Sequence, residues 1–368
     1  MKQKWIYKSW YDLVFILSPP FLCFGVIFLL PGQFFPEHEQ AELPDLWWLI
    51  LILGVDVAHV YSTLYRTYFD KETFQYYRTI YILIPVLVFI FNVVTYSISA
   101  HLFWRLLAYL AVFHFIRQQY GFFRIYSRGE KHNRWIHLLD NITIYALTIY
   151  PLVYWHLTGP KMFNWFMPDD FLFFESETLL VICTWLYFIL VGAYVIKEIF
   201  LSIKNRFFNV PKNLLWLGTA VSWYFGIVYF KGDLTFTILN VVTHGIPYMG
   251  LIWVYGRKKE HQKKTPFLQL IFSPKGILLF AAVIILLGYT EEGLWNAWLW
   301  KDRDRIFPFF TGLFSPIQSK ELLSMAVGLL ATPQLTHYIL DAFIWKMRKD
   351  KEGWQKYTLQ NPAADISK

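Results

Sequence analysis

Charged residues are scarce in this chain. Only 16% of its 368 residues are Asp, Glu, Lys or Arg, and 56% are hydrophobic, whereas about 25% charged residues is usual for a soluble domain. So little charge cannot cover a water-facing surface of ordinary composition. Because apolar runs of 18 or more residues recur from end to end, the sequence predicts an all-α, polytopic membrane protein.

Cysteine is almost absent as well. Cys23 and Cys183 both lie inside apolar runs, which excludes a disulfide framework and a cysteine-based zinc site. The net charge of +8 could indicate a nucleic-acid partner, but the basic residues fall in loops between the apolar runs. Membrane orientation accounts for them there. We therefore expect a lipid bilayer as the surroundings and no nucleic acid.

The apolar runs predict about ten membrane spans in a single transmembrane domain that covers residues 1–368. Their expected bounds are 11–31, 45–66, 79–98, 102–123, 138–157, 178–200, 213–230, 234–256, 276–298 and 322–345. Most of the 34 Lys and Arg residues fall on the side that holds both termini, so the positive-inside rule predicts cytoplasmic termini and a cytoplasmic tail at 346–368. The aromatic segments 158–177 and 299–321 are expected at the outer interface. We expect a multi-pass protein of a bacterial inner membrane.

Four of these spans carry a histidine with a polar companion about one helical turn away. The groups are Asp56, His59 and Thr63; His114, Arg117 and Gln118; Asn240, His244 and Tyr248; and Gln334, His337 and Asp341. Spacings of three and four residues place each group on one helical face. At ~1.5 Å of rise per residue, all four histidines fall between the membrane mid-plane and the cytoplasmic face. A shared depth favours one common site.

Neutral imidazole and carboxylate are the usual protein ligands of iron, copper and zinc. The predicted metal ligands are His59, His114, His244, His337, Asp56 and Asp341, which suffice for a dinuclear non-haem iron centre built from facing helices. Cofactor binding should be supported by Gln118, Asn240, Gln334 and Thr63, which would fix imidazole tautomers. Tyr248 is a candidate catalytic group that contacts oxygen or substrate, and Arg117 is a candidate that pairs with an anion. Zinc, copper and haem remain alternatives because ligand type alone does not select the metal.

The four histidine groups resemble, in general style, those of the membrane-embedded histidine-rich oxygenases, namely fatty-acid desaturases and hydroxylases, alkane monooxygenases and bacterial β-carotene dioxygenases. The strings "FHFIRQQYGF" and "THYILDAFIWK" are also similar to those of an uncharacterised bacterial membrane-protein family. The desaturase-type HxxxH and HxxHH boxes are absent. The resemblance implies an iron-dependent oxygenase, desaturase or hydroxylase that acts on a lipid or isoprenoid and takes electrons from a separate donor.

Two other interpretations remain open. A single intramembrane histidine is often only a hydrogen-bonding contact between helices, worth about 0.6 kcal/mol. The His and Asp residues could also form the proton relay of a transporter or proton-coupled carrier. A relay should continue as polar groups to the outer face, yet the outer halves of these spans, such as "DLWWLILILG", are almost purely apolar. A one-sided pocket favours the enzyme.

Overall fold

The structure is a computed structural model that describes residues 3–34, 43–230, 232–259, 264–346 and 354–359. It is all-α, 78% helical, and no strand occurs among these residues. Of the tail predicted at 346–368, only Lys346 and residues 354–359 are described, the latter beginning with the short helix Trp354–Thr358. The rest of that prediction lies outside the described residues.

Six helices of the described chain are long and apolar enough to cross a membrane. They are Asp45–Tyr65, Arg78–Ile98, Arg134–Thr158, Glu177–Asn205, Asp233–Lys258 and Ile277–Trp300. A seventh candidate is the bent pair Ser9–Leu17 and Pro19–Leu29, whose axes differ by 55°. A multi-pass helical membrane protein fits this architecture.

Three of the ten predicted spans are not among these candidates. The span at 102–123 corresponds to the 27-residue helix Ala100–Tyr126, and the span at 213–230 to Val210–Trp223 with its π-helical continuation Tyr224–Tyr229. The span at 322–345 is two helices, Lys320–Leu330 and Thr332–Ile344. Proline lacks a backbone N–H, so Pro333 starts the second helix rather than continuing the first.

The chain divides into two compact units, and two of the four boundaries between them fall inside the helices Ala100–Tyr126 and Asp233–Lys258. The first unit comprises 1–42, 112–247 and 359–368. In it, Arg134–Thr158 packs against Glu177–Asn205, and Val210–Trp223 packs against Pro19–Leu29. The last two helices approach closely because Gly218 has no side chain: a Cβ there would lie 2.9 Å from Cγ of Pro20.

The second unit comprises 43–111 and 248–358. In it, Arg78–Ile98 packs against Lys320–Leu330 and Thr332–Ile344, while Ile277–Trp295 packs against Ala58–Ser62. Gly328 allows the first of these contacts, since a Cβ there would lie 2.4 Å from Cγ2 of Val93. Small residues at helix contacts are the usual means of close packing in a membrane.

Burial separates the spanning helices into two kinds. For each helix we compare the buried share of its apolar 18-residue window. That share is 11% for Glu177–Asn205 and 22% for Arg78–Ile98, but 78% for Asp233–Lys258. The first two helices expose rows of large apolar side chains, including Leu83, Leu87 and Val94 on Arg78–Ile98. Such surfaces are consistent with contact to lipid, whereas most of the apolar window of Asp233–Lys258 is buried.

A buried ion pair lies just beyond the end of Asp233–Lys258. Nζ of Lys259 donates to Oδ1 and Oδ2 of Asp70 at 2.7 and 2.5 Å, and the side chains are 4% and 1% exposed. The Tyr255 hydroxyl also donates to Oδ2 of Asp70, at 3.2 Å. Burial by itself disfavours the ammonium, but Tyr255 and Asp70 outweigh it and raise the pKa of Lys259 above its ordinary value. The pair ties the helix end to the turn before Lys71–Tyr76.

We predict that Lys259→Met lowers the unfolding temperature of the detergent-purified protein. It leaves a buried carboxylate without its cation, which typically costs about 3 to 5 kcal/mol. Lys320→Met is the matched control, because it removes an exposed ammonium from the same unit. Thermal unfolding followed by fluorescence measures both, and equal unfolding temperatures would show that the pair contributes nothing to stability.

Candidate metal centre

The helix that carries Asp56 and His59 is irregular in its middle. Within Asp45–Tyr65, the segment Leu49–Val57 is π-helical, Ala58–Ser62 returns to α-helix, and Thr63–Tyr65 ends as a 3₁₀ turn. Insertions of π-helix are frequent at functional sites because they re-aim side chains. His59 lies directly after the π segment and is 1% exposed, and its Nδ1 is 3.7 Å from Oδ1 of Asp56.

His337 lies in the same unit, on Thr332–Ile344. It is 2% exposed, and its ring centroid is 5.0 Å from that of His59. Its Nδ1 forms a 2.7 Å hydrogen bond with Oγ1 of Thr63 and lies 3.8 Å from Oδ1 of Asp341. A threonine one turn after His59 therefore contacts the imidazole of another helix.

The hydrogen bonds of Thr63 continue to a carboxylate. Its Oγ1 lies 2.8 Å from the hydroxyl of Tyr248, which donates to Oδ1 of Asp341 at 2.7 Å. When Asp341 is ionised, the phenol gives its one proton to that carboxylate, so Thr63 donates to Tyr248 and accepts from Nδ1 of His337. The chain therefore runs from His337 through Thr63 and Tyr248 to Asp341, with every bond in one direction.

This chain fixes the tautomer of His337. With its proton on Nδ1, the lone pair of the imidazole is on Nε2. Neutral imidazole with one nitrogen held by a hydrogen bond is the form in which histidine binds metals. The arrangement therefore presents Nε2 of His337 as a ligand atom.

The other two histidines belong to the first unit. His114 lies on Ala100–Tyr126 and His244 on Asp233–Lys258, 5% and 1% exposed, and their ring centroids are 4.9 Å apart. Phe115 stacks on His244 with 3.6 Å between centroids and 9° between planes. Nε2 of Gln118 donates to the backbone carbonyl of His244 at 2.8 Å. The stacked phenyl ring restricts rotation of the His244 imidazole.

The four buried histidines are groups that could bind metal. They occur as one pair in each unit, with 5.0 Å between the ring centroids of His59 and His337 and 4.9 Å between those of His114 and His244. Four neutral nitrogen donors suit zinc, copper and iron. This donor set fits a metal without any cysteine, as the sequence requires.

The two aspartates predicted as ligands lie beside this group rather than within it. Asp56 and Asp341 approach Nδ1 of His59 and of His337 at 3.7 and 3.8 Å, where a carboxylate can orient an imidazole. Of the four groups expected to fix tautomers, Thr63 contacts an imidazole nitrogen and Gln118 a histidine carbonyl.

The remaining predicted groups bond elsewhere in the described structure. Nε2 of Gln334 donates to the hydroxyl of Tyr338 at 2.8 Å, and Nδ2 of Asn240 donates to the carbonyl of Phe236 at 2.9 Å. Tyr248 is 2% exposed and joins Thr63 to Asp341. Arg117 is exposed and donates to the hydroxyl of Tyr145.

Two buried acidic residues lie outside the set of site residues predicted from the sequence. Glu291 is 9% exposed and accepts hydrogen bonds from the hydroxyl of Tyr61 at 2.6 Å and from Nε1 of Trp295 at 3.2 Å. The spacing of four residues between Glu291 and Trp295 was a signal available in the sequence. Asp12 is fully buried and accepts hydrogen bonds from the backbone N–H groups of Ile6 and Tyr7.

No family model matches this chain, and no curated protein or solved structure is detectably similar to it. The candidate site therefore rests on its own geometry.

We predict that Thr63→Val lowers metal affinity by about 10- to 100-fold, the usual effect of removing the partner that orients a metal-binding imidazole. Valine matches threonine in shape, so packing is kept while the bond to Nδ1 of His337 is lost. Chelator competition on the purified protein measures the affinity.

Thr67→Val is the matched control, because Thr67 is buried on the adjoining turn and its hydroxyl donates only to the carbonyl of Thr63, at 2.8 Å. Metal affinity should be unchanged in this variant. If Thr63→Val also bound metal as tightly as the parent protein, the hydrogen-bond chain would have no part in metal binding.

Proposed function

We propose that this protein is an integral membrane metalloenzyme whose metal is held by His59, His114, His244 and His337. One observation carries the proposal: the buried imidazoles occur as contacting pairs, His59 with His337 and His114 with His244, at 5.0 and 4.9 Å between ring centroids. A single buried histidine is adequately explained as a contact between helices. Two such pairs, expected from the sequence at one depth, favour metal binding, because ionisable groups inside a membrane usually serve a function.

The chemistry proposed is that of a non-haem iron oxygenase, desaturase or hydroxylase. When bound, the metal would supply oxygen or redox chemistry that side chains alone cannot perform. The protein would supply buried, oriented imidazoles and a surrounding shell of aromatic side chains that excludes water. Zinc and copper suit the same donors.

The donor arrangement favours a non-haem site over haem. A haem iron takes its axial ligands from opposite faces of a flat macrocycle, which would explain two histidines. Within each unit, however, the two buried imidazoles are in contact, with 5.0 Å between the ring centroids of His59 and His337 and 4.9 Å between those of His114 and His244. Rings in contact leave no space for a macrocycle between them, which supports a metal ion bound directly by the protein.

The same geometry supports a single ion more strongly than the dinuclear iron centre expected from the sequence. Dinuclear centres in helical bundles use carboxylates from several helices as ligands. Asp56 and Asp341 instead lie against imidazole nitrogens, and Asp341 also accepts the hydrogen bond of Tyr248. We assign them the role of orienting ligands.

The proposal retains the topology inferred from the sequence, with ten spans, both termini cytoplasmic and a bacterial inner membrane. Under that topology the four histidines lie in the cytoplasmic half of the bilayer. An apolar substrate, a lipid or an isoprenoid, would then enter from that leaflet. Electrons would come from a separate partner protein, since the chain has no dinucleotide-binding fingerprint.

We predict that the purified protein retains a transition metal, and that His337→Ala and His244→Ala each lower its metal content by at least about half, because each removes one of four ligands. His101→Ala, which removes a half-buried histidine bonded to Arg105, should leave metal content unchanged. Plasma mass spectrometry measures the metal, and an optical spectrum of each sample detects haem.

Metal content that stays normal in His337→Ala and His244→Ala would assign these residues to helix packing. Failure to bind metal even after reconstitution would rule out the metalloenzyme proposal. A Soret band would show that the protein binds haem rather than a non-haem ion.

A second candidate, a proton-coupled carrier, is favoured by one observation. The carboxyl groups of Asp56 and Glu291 are close enough to interact electrostatically, and Glu291 is hydrogen-bonded to Tyr61 in the same unit. Asp56, Glu291 and Tyr61 thus continue the row of polar side chains that begins at His59, towards the predicted outer end of Ile277–Trp300. A proton relay would need such an extension.

Proton flux into proteoliposomes under an imposed membrane potential separates the two candidates. The carrier predicts flux that Glu291→Gln abolishes, because the amide cannot pass on a proton. The enzyme predicts no flux above protein-free vesicles, with metal content unchanged in Glu291→Gln. Glu321→Gln, at an exposed carboxylate, is the control.

A further inference from the structure

An exposed arginine lies one helical turn from the candidate metal centre. Arg117 follows His114 by three residues on Ala100–Tyr126 and is solvent- or lipid-exposed, whereas His114 is buried. Its guanidinium donates to the hydroxyl of Tyr145 and lies 4.9 Å from the ring centroid of Tyr120. The two tyrosine rings stack on each other, with 4.9 Å between centroids and 16° between planes. The guanidinium is therefore held in place by two aromatic side chains.

Among the residues that the structure describes, no carboxylate neutralises the charge of Arg117 by forming an ion pair with it. An arginine facing the apolar part of a membrane is expensive unless an anion pairs with it. Tyrosine hydroxyl and ring contacts hold the guanidinium but leave most of its five N–H donors available.

The surface beside Arg117 is apolar on one side. Phe113, one turn earlier on the same helix, is 60% exposed, and Ile149, one turn after Tyr145, is 45% exposed. Arg117 contacts Tyr145, and Arg124, further along the same helix, interacts electrostatically with His137, which precedes Tyr145. The two helices therefore run antiparallel, and Phe113 and Ile149 lie on the same side of the Arg117–Tyr145 contact. A cation thus lies at the end of an apolar strip.

The turn that carries Arg117 is also fixed to the candidate metal centre. Gln118, the next residue, donates to the carbonyl of His244 at 2.8 Å. Gln118 faces that helix while Arg117 faces Tyr145, so one helical turn connects the cation to two of the four histidines.

We infer that Arg117, Tyr120 and Tyr145 bind the anionic head, a carboxylate or a phosphate, of a membrane amphiphile. Its hydrocarbon chain lies along Phe113 and Ile149. Guanidinium groups recognise both anions through paired charge-assisted hydrogen bonds. That this amphiphile is the enzyme's substrate class rests on the proposed function. That the amphiphile binds at Arg117 does not.

The test uses the full-length protein in nonionic detergent and native mass spectrometry with four probes: oleate, oleyl alcohol, phosphatidylglycerol and inorganic phosphate. Oleate and oleyl alcohol share a chain and differ in charge. We expect oleate or phosphatidylglycerol to bind about ten-fold or more tightly than oleyl alcohol, and Arg117→Gln to weaken that binding by about ten-fold, as loss of a charge-assisted hydrogen bond predicts. Tyr145→Phe should weaken it less, and Arg117→Lys should keep part of it.

Arg134→Gln is the matched control. Arg134 is exposed in the same unit and lies 4.9 Å from the ring centroid of Trp135, so its loss removes the same charge from a similar aromatic contact. Preferential binding of oleate identifies a carboxylate head, and preferential binding of phosphatidylglycerol identifies a phosphate head.

Four results would overturn the inference: equal binding by Arg117→Gln and the parent protein, binding of oleyl alcohol as tight as that of both oleate and phosphatidylglycerol, an equal loss in Arg134→Gln, or binding of inorganic phosphate alone. Metal content is measured on the same samples. Amphiphile binding without metal would support this site and rule out the metalloenzyme. Metal binding without amphiphile binding would rule out this site and support the metalloenzyme.

Discussion

The hydrogen bond between Thr63 and Nδ1 of His337 ties together the groups on which the candidate site depends. An imidazole buried among apolar helices has no water to settle which nitrogen carries the proton, so the protein must do it. Here the bond at 2.7 Å continues through Tyr248 to Asp341, and three helices hold one side chain in one tautomer. Removing the final acceptor would leave the direction of every earlier bond undetermined.

The distribution of burial among the helices follows from the same need to hydrogen-bond polar groups that are removed from water. Glu177–Asn205 and Arg78–Ile98 bury little of their apolar windows, whereas Asp233–Lys258 buries 78% of its window and carries both His244 and Tyr248. Asp233–Lys258 thus carries buried polar groups of the candidate site, whereas Glu177–Asn205 and Arg78–Ile98 each bury few polar groups, among them Glu198 and Asn92. The ion pair of Lys259 with Asp70 lies just past the end of Asp233–Lys258.

The sequence predicts the helical membrane class and the depth of the four histidines, because hydropathy and rise per residue depend only on position along a helix. It does not predict which groups meet around the helix axis. Thr63 contacts His337 while Asn240 and Gln334 bond elsewhere, although their spacings to a histidine are equally suitable. Nor does it predict that Glu291 accepts a hydrogen bond from Tyr61, because the two residues lie on different helices. Whether all ten predicted spans cross the bilayer stays a prediction.

The π segment Leu49–Val57 has a consequence for how this chain can be compared with others. Its wider turns put the residues before it out of phase with those after it, as an inserted residue in a regular α-helix would. Two homologous chains that differ by a one-residue gap in this segment could therefore place Asp56 and His59 identically while their upstream side chains face different neighbours. An alignment that prohibits gaps within helices would pair the wrong residues here, and the error would fall on the lipid-facing start of the helix rather than on the histidine.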